Sequence, residues 1–269
     1  MLNKIISFVR EAGDFAKAQQ TSVNLFDSKL KSDLFSDVVT TTDLEISRRF
    51  KAFIKVEFAD LDYLVIDEET ISELAPSPLA EAKKHEYVFS IDPIDGTLTY
   101  SVGLPFYGVS VGVFHNQKPL ISAIYLPGLD VFIYGDRRGI FVERSGQKTA
   151  VTANSRPAPL QINKAFFKVD PMQLRKMNLS YLNPYAASVS SVYLALGQVM
   201  VWTFAASFWD ITGACLLFDK LNLQIFNPRT DQPVDLFDEK LFSAKLRIQE
   251  PTIVCAPKFY QDFKKLYKL

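Results

Sequence analysis

Cysteine and histidine are almost absent from this 269-residue chain, which holds two of each. Cys215 and Cys255 cannot build a disulfide framework, and a reducing, cytoplasmic compartment suits them. With only His85 and His115 beside them, a His/Cys zinc site is all but excluded, so a metal centre here must be made of oxygen. Charge of one sign is also missing. Thirty Lys plus Arg against thirty Asp plus Glu give a formal net charge of zero, which takes weight from nucleic-acid binding. The opening Met1–Glu11 segment is too short and interrupted in its apolar run for a signal peptide, and it reads as the start of an amphipathic helix. The uncharged stretch from Tyr185 to Trp209 is long enough to span a bilayer, but Gly197-Gln198 breaks it and small polar residues fill its first part. It reads as a buried helix, a turn, a buried strand and the start of another helix, so no membrane partner is expected.

What is present is ordinary for a folded protein: 48% hydrophobic and 22% charged residues. The length allows one large α/β unit or two halves, placed at 1–150 and 151–269. Apolar spacing predicts helices over 2–20 and over Asp43 to Phe58, the second starting after Thr40-Thr41-Thr42. Buried strands are expected at Tyr63–Ile66 and Tyr87–Ile91, with a loop from Ser72 to Lys84 between them. Phe106–Phe114, Ile121–Leu126, Val131–Tyr134 and Ile140–Val142 read as an antiparallel meander. Further on, a strand at Ala165–Val169 is followed by helices at Pro171–Met177, Ser190–Leu196 and Trp209–Phe218. A strand at Thr252–Cys255 and a helix at Pro257–Tyr267 close the chain; the aromatic side of that helix should dock on the domain rather than on a membrane surface.

Acidic clusters stand at the ends of these elements: Asp67-Glu68-Glu69, Asp92 with Asp95, and Asp210. Placing carboxylates where strands end is how α/β folds build active sites. Pro93 fixes the chain after Asp92, and Gly96 permits close backbone approach. Asp95 is placed to ligate a cation and to cap a helix whose Gly96 and Thr97 N–H groups would receive a phosphate. Carboxylates without histidine suit Mg²⁺, and two such ions can hold a phosphate and activate a water. Read as residues alone, the same acids would serve equally well as turn and capping groups.

Asp92-Pro93-Ile94-Asp95-Gly96-Thr97 resembles the DPIDGT signature of the inositol monophosphatase family. Asp37-Val38-Val39-Thr40-Thr41-Thr42-Asp43 is similar to that family's D-x-V-T-x-x-D segment, and Trp209-Asp210-Ile211-Thr212-Gly213-Ala214 to its W-D-x-x-A/G block, in the same order. The resemblance implies a layered α/β (α+β) sugar-phosphatase fold with alternating helix and sheet layers. It implies a Mg²⁺-dependent phosphomonoesterase acting on a small sugar or polyol phosphate, with two or three ions per site. By the same resemblance Glu68, Asp92, the Ile94 carbonyl, Asp95 and Asp210 are the metal ligands, and Asp43 with Thr97 orients and activates the attacking water. Asp95, Gly96, Thr97, Ala187 and Asp210 are the implied substrate contacts. A homodimer and lithium inhibition are further family expectations. A phosphate ester repels an anionic nucleophile, so cations that cancel its charge and acidify a water make a side-chain nucleophile unnecessary.

The chain departs from the family pattern in several places. Asp67 stands where the family usually has Gly, either tuning metal affinity or, on the simpler reading, facing solvent. No Gly-Gly turn follows Asp210; Phe218-Asp219-Lys220-Leu221-Asn222-Leu223 must turn differently, with Asn222 as the candidate. The segment Thr203–Phe208 lacks the glutamate that inositol-specific members place before the Trp-Asp pair, so inositol specificity is not expected. Ala186-Ala187-Ser188-Val189-Ser190 replaces the family's G-S/T-A-A segment, and Lys31 lies one residue off a family lysine. Three alternatives stay open: a fructose-1,6-bisphosphatase or a nucleotide 3′-phosphatase on the same scaffold, or a non-catalytic binding homologue, which the full set of acids disfavours.

Overall fold

The computed structural model describes residues 1–22, 40–73, 77–153, 162–163, 172, 176, 180 and 182–265. Two helices open the chain. In α1 (Leu2–Gln19) the buried positions Ile5, Phe8, Val9, Ala12 and Ala16 form one stripe. In α2 (Thr41–Glu57) Ile46, Phe50 and Ile54 do the same. Thr40 caps α2 and forms a reciprocal box with Asp43, so the threonine run starts the helix as its sequence predicts.

Both helices pack on one face of a seven-stranded sheet whose spatial order is β1 to β7. Its strands are β1 (Tyr63–Asp67), β2 (Tyr87–Asp95), β3 (Gly108–His115), β4 (Lys118–Leu126), β5 (Val131–Asp136), β6 (Gly139–Arg144) and β7 (Gln147–Val151). Only β1 and β2 run parallel; the rest is the expected meander, extended by β7. The segment between β1 and β2 is not all loop: Pro78 opens a short helix, α3 (Pro78–Ala82), at the first-turn position proline favours. A short helix α4 (Thr97–Ser101) follows β2.

The other face of this sheet is covered by α5 (Ala187–Ala195), α6 (Phe208–Thr212) and α7 (Cys215–Lys220). The helix expected over Trp209–Phe218 is therefore two, separated at Gly213-Ala214. Beyond them lies a second sheet in the order β11-β10-β12-β9-β8, made of β8 (Ile162–Asn163), β9 (Val201–Phe204), β10 (Gln224–Asn227), β11 (Gln232–Pro233) and β12 (Thr252–Cys255). The stretch 185–209 is thus the helix, turn and strand its pattern predicts. Among the described residues no helix is long and apolar enough to cross a membrane. Asn222 turns the chain after α7 in the left-handed region (φ 53°), as expected where glycine is missing. The final helix α8 (Tyr260–Lys264) follows a 3₁₀ turn at Pro257–Phe259 and docks through Tyr260 on Phe226, with ring centroids 4.1 Å apart. Helices and sheets thus alternate in layers, as expected. The strand at 165–169, the 171–177 helix except for Met172 and Lys176, residues 37–39, Lys31 and the last four residues lie outside the described residues.

Cores on the two faces of the first sheet are separate. Phe89, Ile91 and Ile94 join the side of α1 and α2, whereas Val88 and Ile124 join the side of α5 to α7.

Candidate active site

The site begins with a β-bulge. β2 pairs with β3 at Asp92↔Ser110 and again at Asp95↔Gly108, so three steps on β2 match two on β3. In a regular strand residues three apart face opposite sides; the extra residue brings Asp92 and Asp95 to one side and leaves Ile91 and Ile94 in the core. Proline is tolerated within a sheet at such a bulge, which explains Pro93. The strand expected to end at Ile91 therefore carries the whole acidic motif.

Gly96 then takes φ +88°, and a Cβ there would lie 2.7 Å from the Phe106 carbonyl oxygen and 2.9 Å from the Ala186 Cβ. This turn starts α4 with Gly96 as its cap. Asp95 does not cap α4, as the sequence suggested. Its Oδ1 accepts from the Ala187 N–H at 3.0 Å and its Oδ2 from the Ser188 N–H, so it caps α5, more than ninety residues away in sequence. Ala187, an implied substrate contact, has its N–H committed to this bond. The local pattern around Asp95 holds no sign of it, because the partner arrives only through tertiary packing.

Asp210 reaches the site from the third position of α6, where its Oδ2 accepts from the Ser207 N–H at 2.7 Å. α6 approaches β3 closely because Gly112 and Gly213 face Thr212 and Ser110; a Cβ on either would overlap them. Thr212 also donates from its hydroxyl to Ser90 Oγ at 2.8 Å. The outcome is a cluster of Asp92, Asp95 and Asp210, whose ligand oxygens lie within 4.8 Å of one another.

Glu68 follows β1 and lies against Asp92, which lies against Asp210. Burial, then the charges of Asp210, Glu69 and Asp43, holds the Glu68 carboxyl well above its ordinary range. Burial, then Glu68 and Asp95, does the same to Asp92. Burial also raises Asp95, against its N–H donors, and takes Asp210 to about 7. Asp92 Oδ1 is buried with no hydrogen-bond partner. A buried carboxylate oxygen without a donor, among other carboxylates, is an unfavourable arrangement that a hard divalent cation relieves. The donor set is all oxygen, so the residues present fit Mg²⁺ or a cation like it.

Asp43 completes the set from the first turn of α2. It is fully buried, and burial lifts its carboxyl to about 6 despite donors from Thr40. The Thr97 hydroxyl lies 2.9 Å from the Ile94 carbonyl oxygen and 3.4 Å from Asp43 Oδ1. Asp43, from one block of the motif pattern, and Ile94 and Thr97, from another, thus meet at one point.

Asp67 corrects its sequence reading. It does not face solvent: it is 1% exposed. Its Oδ2 accepts from Ser47 and, at 3.3 Å, from Thr70, and its Oδ1 from the Glu69 N–H at 3.2 Å. Two further groups had no role assigned from the sequence. Glu69 is lifted to about 8, first by burial and then by Asp43 and Asp67. Arg247 pairs by a β-bridge with Ser207, next to Asp210, although 37 residues separate Arg247 from Asp210. Only the turn spacing of the Glu pair offered a signal for the first, and none existed for the second. His85 and His115 are half-buried and pair with Asp62 and Glu86 at 2.6 and 2.9 Å, away from these acids.

A family model described as the inositol monophosphatase family matches residues 2–241. A fructose-1,6-bisphosphatase/inositol-1-monophosphatase of Aquifex aeolicus is 29% identical over 196 residues, covering 67% of this chain and 69% of the relative. Among solved structures, an IMPase of Thermotoga maritima superposes with a TM-score of 0.72 at 17% identity, over 97% of this chain and 94% of the other. An IMPase/NADP phosphatase complexed with NADP and Ca²⁺ does so at 0.74 and 19%, over 98% and 93%. The fold of those structures, the sequence match and the bulged acidic motif agree: the chain belongs to the inositol monophosphatase family.

Proposed function

We propose that this phosphatase hydrolyses a small sugar or polyol phosphate monoester at the Asp92 cluster, with Mg²⁺ held by Glu68, Asp92, the Ile94 carbonyl, Asp95 and Asp210. The observation that carries this reading is the unpartnered, buried Asp92 Oδ1 in the cluster it forms with Asp95 and Asp210. Bound divalent cations supply charge neutralisation for the phosphate and a lowered pKa for water. The chain's own residues do the rest. Asp43, lifted to about 6, sits where it can take a proton near neutral pH through the Thr97 hydroxyl. In that relay the Thr97 hydroxyl turns its one proton from the Ile94 carbonyl to Asp43 Oδ1 as it accepts the proton of the water it orients. The backbone N–H groups of Gly96 and Thr97 would receive phosphate oxygens, and Ala187 and Asp210 border the ester. Hydrolysis is direct, with no phosphoryl-enzyme.

We place the active chain in the cytoplasm as a homodimer, with halves 1–150 and 151–269 contributing the ligands together. Phosphate release from inositol 1-phosphate, glycerol 2-phosphate, fructose 1,6-bisphosphate and a nucleotide 3′-phosphate, with and without Mg²⁺, tests the reading. Mg²⁺-dependent turnover of one monoester supports it; no turnover and no Mg²⁺ binding refutes it.

One observation favours the substrates in that panel that carry a second phosphate. Arg247 is exposed, its guanidinium has no ion pair among the described residues, and its charge acts on Asp210. Leu246, buried and at φ +53°, holds the turn that presents it, and its carbonyl accepts from the Phe208 N–H at 2.9 Å. A second phosphate on the substrate would find a cation there.

A further inference from the structure

Asp43, Ser47 and Lys51 stand four residues apart on α2 and so form one stripe along the helix. That stripe faces the turn after β1. Asp67, the last residue of β1, meets it at two levels: Oδ2 accepts from the buried Ser47 hydroxyl and lies 3.7 Å from Lys51 Nζ. The same carboxylate closes its own turn, taking the Glu69 N–H at 3.2 Å and the Thr70 hydroxyl at 3.3 Å. An aspartate that binds the N–H two residues ahead fixes the peptides between them, and those peptides carry Glu68. One side chain therefore joins the helix that supplies Asp43 to the turn that supplies Glu68. Asp43 and Asp67 both push the Glu69 carboxyl upward, which reflects how near helix and turn lie.

We propose that Asp67, bridged to Ser47, is a positioning residue that presets the distance between Asp43 and the Glu68 turn, so that the cation site is formed before the cation arrives. This rests on the reading of Glu68 as a metal ligand. Groups that hold metal ligands from behind change metal affinity when removed, typically by 10- to 100-fold.

The test is a double-mutant cycle read by calorimetric titration of Mg²⁺ into the full chain without substrate. Asp67→Gly and Ser47→Ala are each expected to weaken Mg²⁺ binding about tenfold. Because both break the same bridge, the double variant is expected to lose about tenfold rather than about a hundredfold. Asp67→Asn keeps the shape and one acceptor oxygen, and is expected to retain affinity within about threefold. At saturating Mg²⁺ the KM for the ester should stay near wild type. Additive losses would overturn the proposal, as would wild-type affinity in Ser47→Ala beside a loss in Asp67→Asn, since that pattern marks charge alone. Unchanged affinity with only a lower melting temperature would reduce the bridge to a structural prop. Because Mg²⁺ binding is read without turnover, the cycle stands or falls independently of the outcome on the ester panel.

Discussion

Asp67 and Asp92 lie one register step apart on the parallel strands β1 and β2, since Asp67 pairs with Ile91, and so they point to opposite faces of the sheet. Both are about 1% exposed, yet their surroundings differ in kind. Around Asp67 the fold supplies a hydroxyl from Ser47, another from Thr70, a backbone N–H and a nearby ammonium. Around Asp92 it supplies carboxylates, and one Asp92 oxygen has no donor at all. A buried acid whose donors come from the protein is part of the framework. A buried acid left among other acids stores an electrostatic cost that a cation removes. The contrast separates residues that hold the site from residues that work in it.

Replacing Asp92 with Asn tests that contrast most severely. Phosphate release is expected to fall roughly a thousandfold or more, in the range seen when a preorganised electrostatic partner is lost. Calorimetry should show Mg²⁺ binding largely gone, and circular dichroism should show the fold retained. Full activity would remove the Asp92 cluster from the chemistry.

Thr97→Ala reaches the water rather than the cations. Its kcat is expected to fall about a hundredfold, the lower range for a proton-transfer group, while the Mg²⁺ midpoint moves less than about twofold. An unchanged kcat would leave Asp43 without its relay. Arg247→Gln probes the rim. KM for fructose 1,6-bisphosphate or a nucleotide 3′-phosphate is expected to rise about tenfold, as for a lost charge-assisted contact, with glycerol 2-phosphate unaffected. Equal effects on both classes would dismiss the second-phosphate reading.

The smallest expected effect is on stability. Asp43, Asp210 and Glu69 have carboxyls lifted to about 6, 7 and 8 in the fold. The folded, metal-free chain therefore keeps protons that the unfolded chain releases near pH 4. Linkage then lowers stability as pH rises from about 4 through 8, and the loss is complete above the highest of these values. Thermal melts in chelator should drop by roughly 3 °C or more between pH 5 and pH 8, and Mg²⁺ should recover more at pH 8 than at pH 5. A melting temperature that is flat or rises over that window would contradict the crowded-acid account.

Much of this was legible in the residue order alone. The stripes of α1 and α2, the threonine cap before Asp43, the meander and the acidic motif follow from local spacing, because helix caps and strand alternation are short-range rules. The family resemblance added the proposed roles of Glu68, Asp92, Asp95 and Asp210. Asn222 was likewise identifiable as the turn that replaces a glycine pair, since few other residues enter the left-handed region. Pairings between distant segments were not legible. Asp95 caps α5 instead of its own helix, Asp67 binds Ser47 instead of water, and Arg247 lies beside Ser207. Each depends on which surfaces pack together, and a carboxylate or guanidinium has the same local pattern whether it finds solvent or a partner. The sequence determined which acids the chain carries and on which elements; only tertiary packing decided which of them received donors and which were left for a cation.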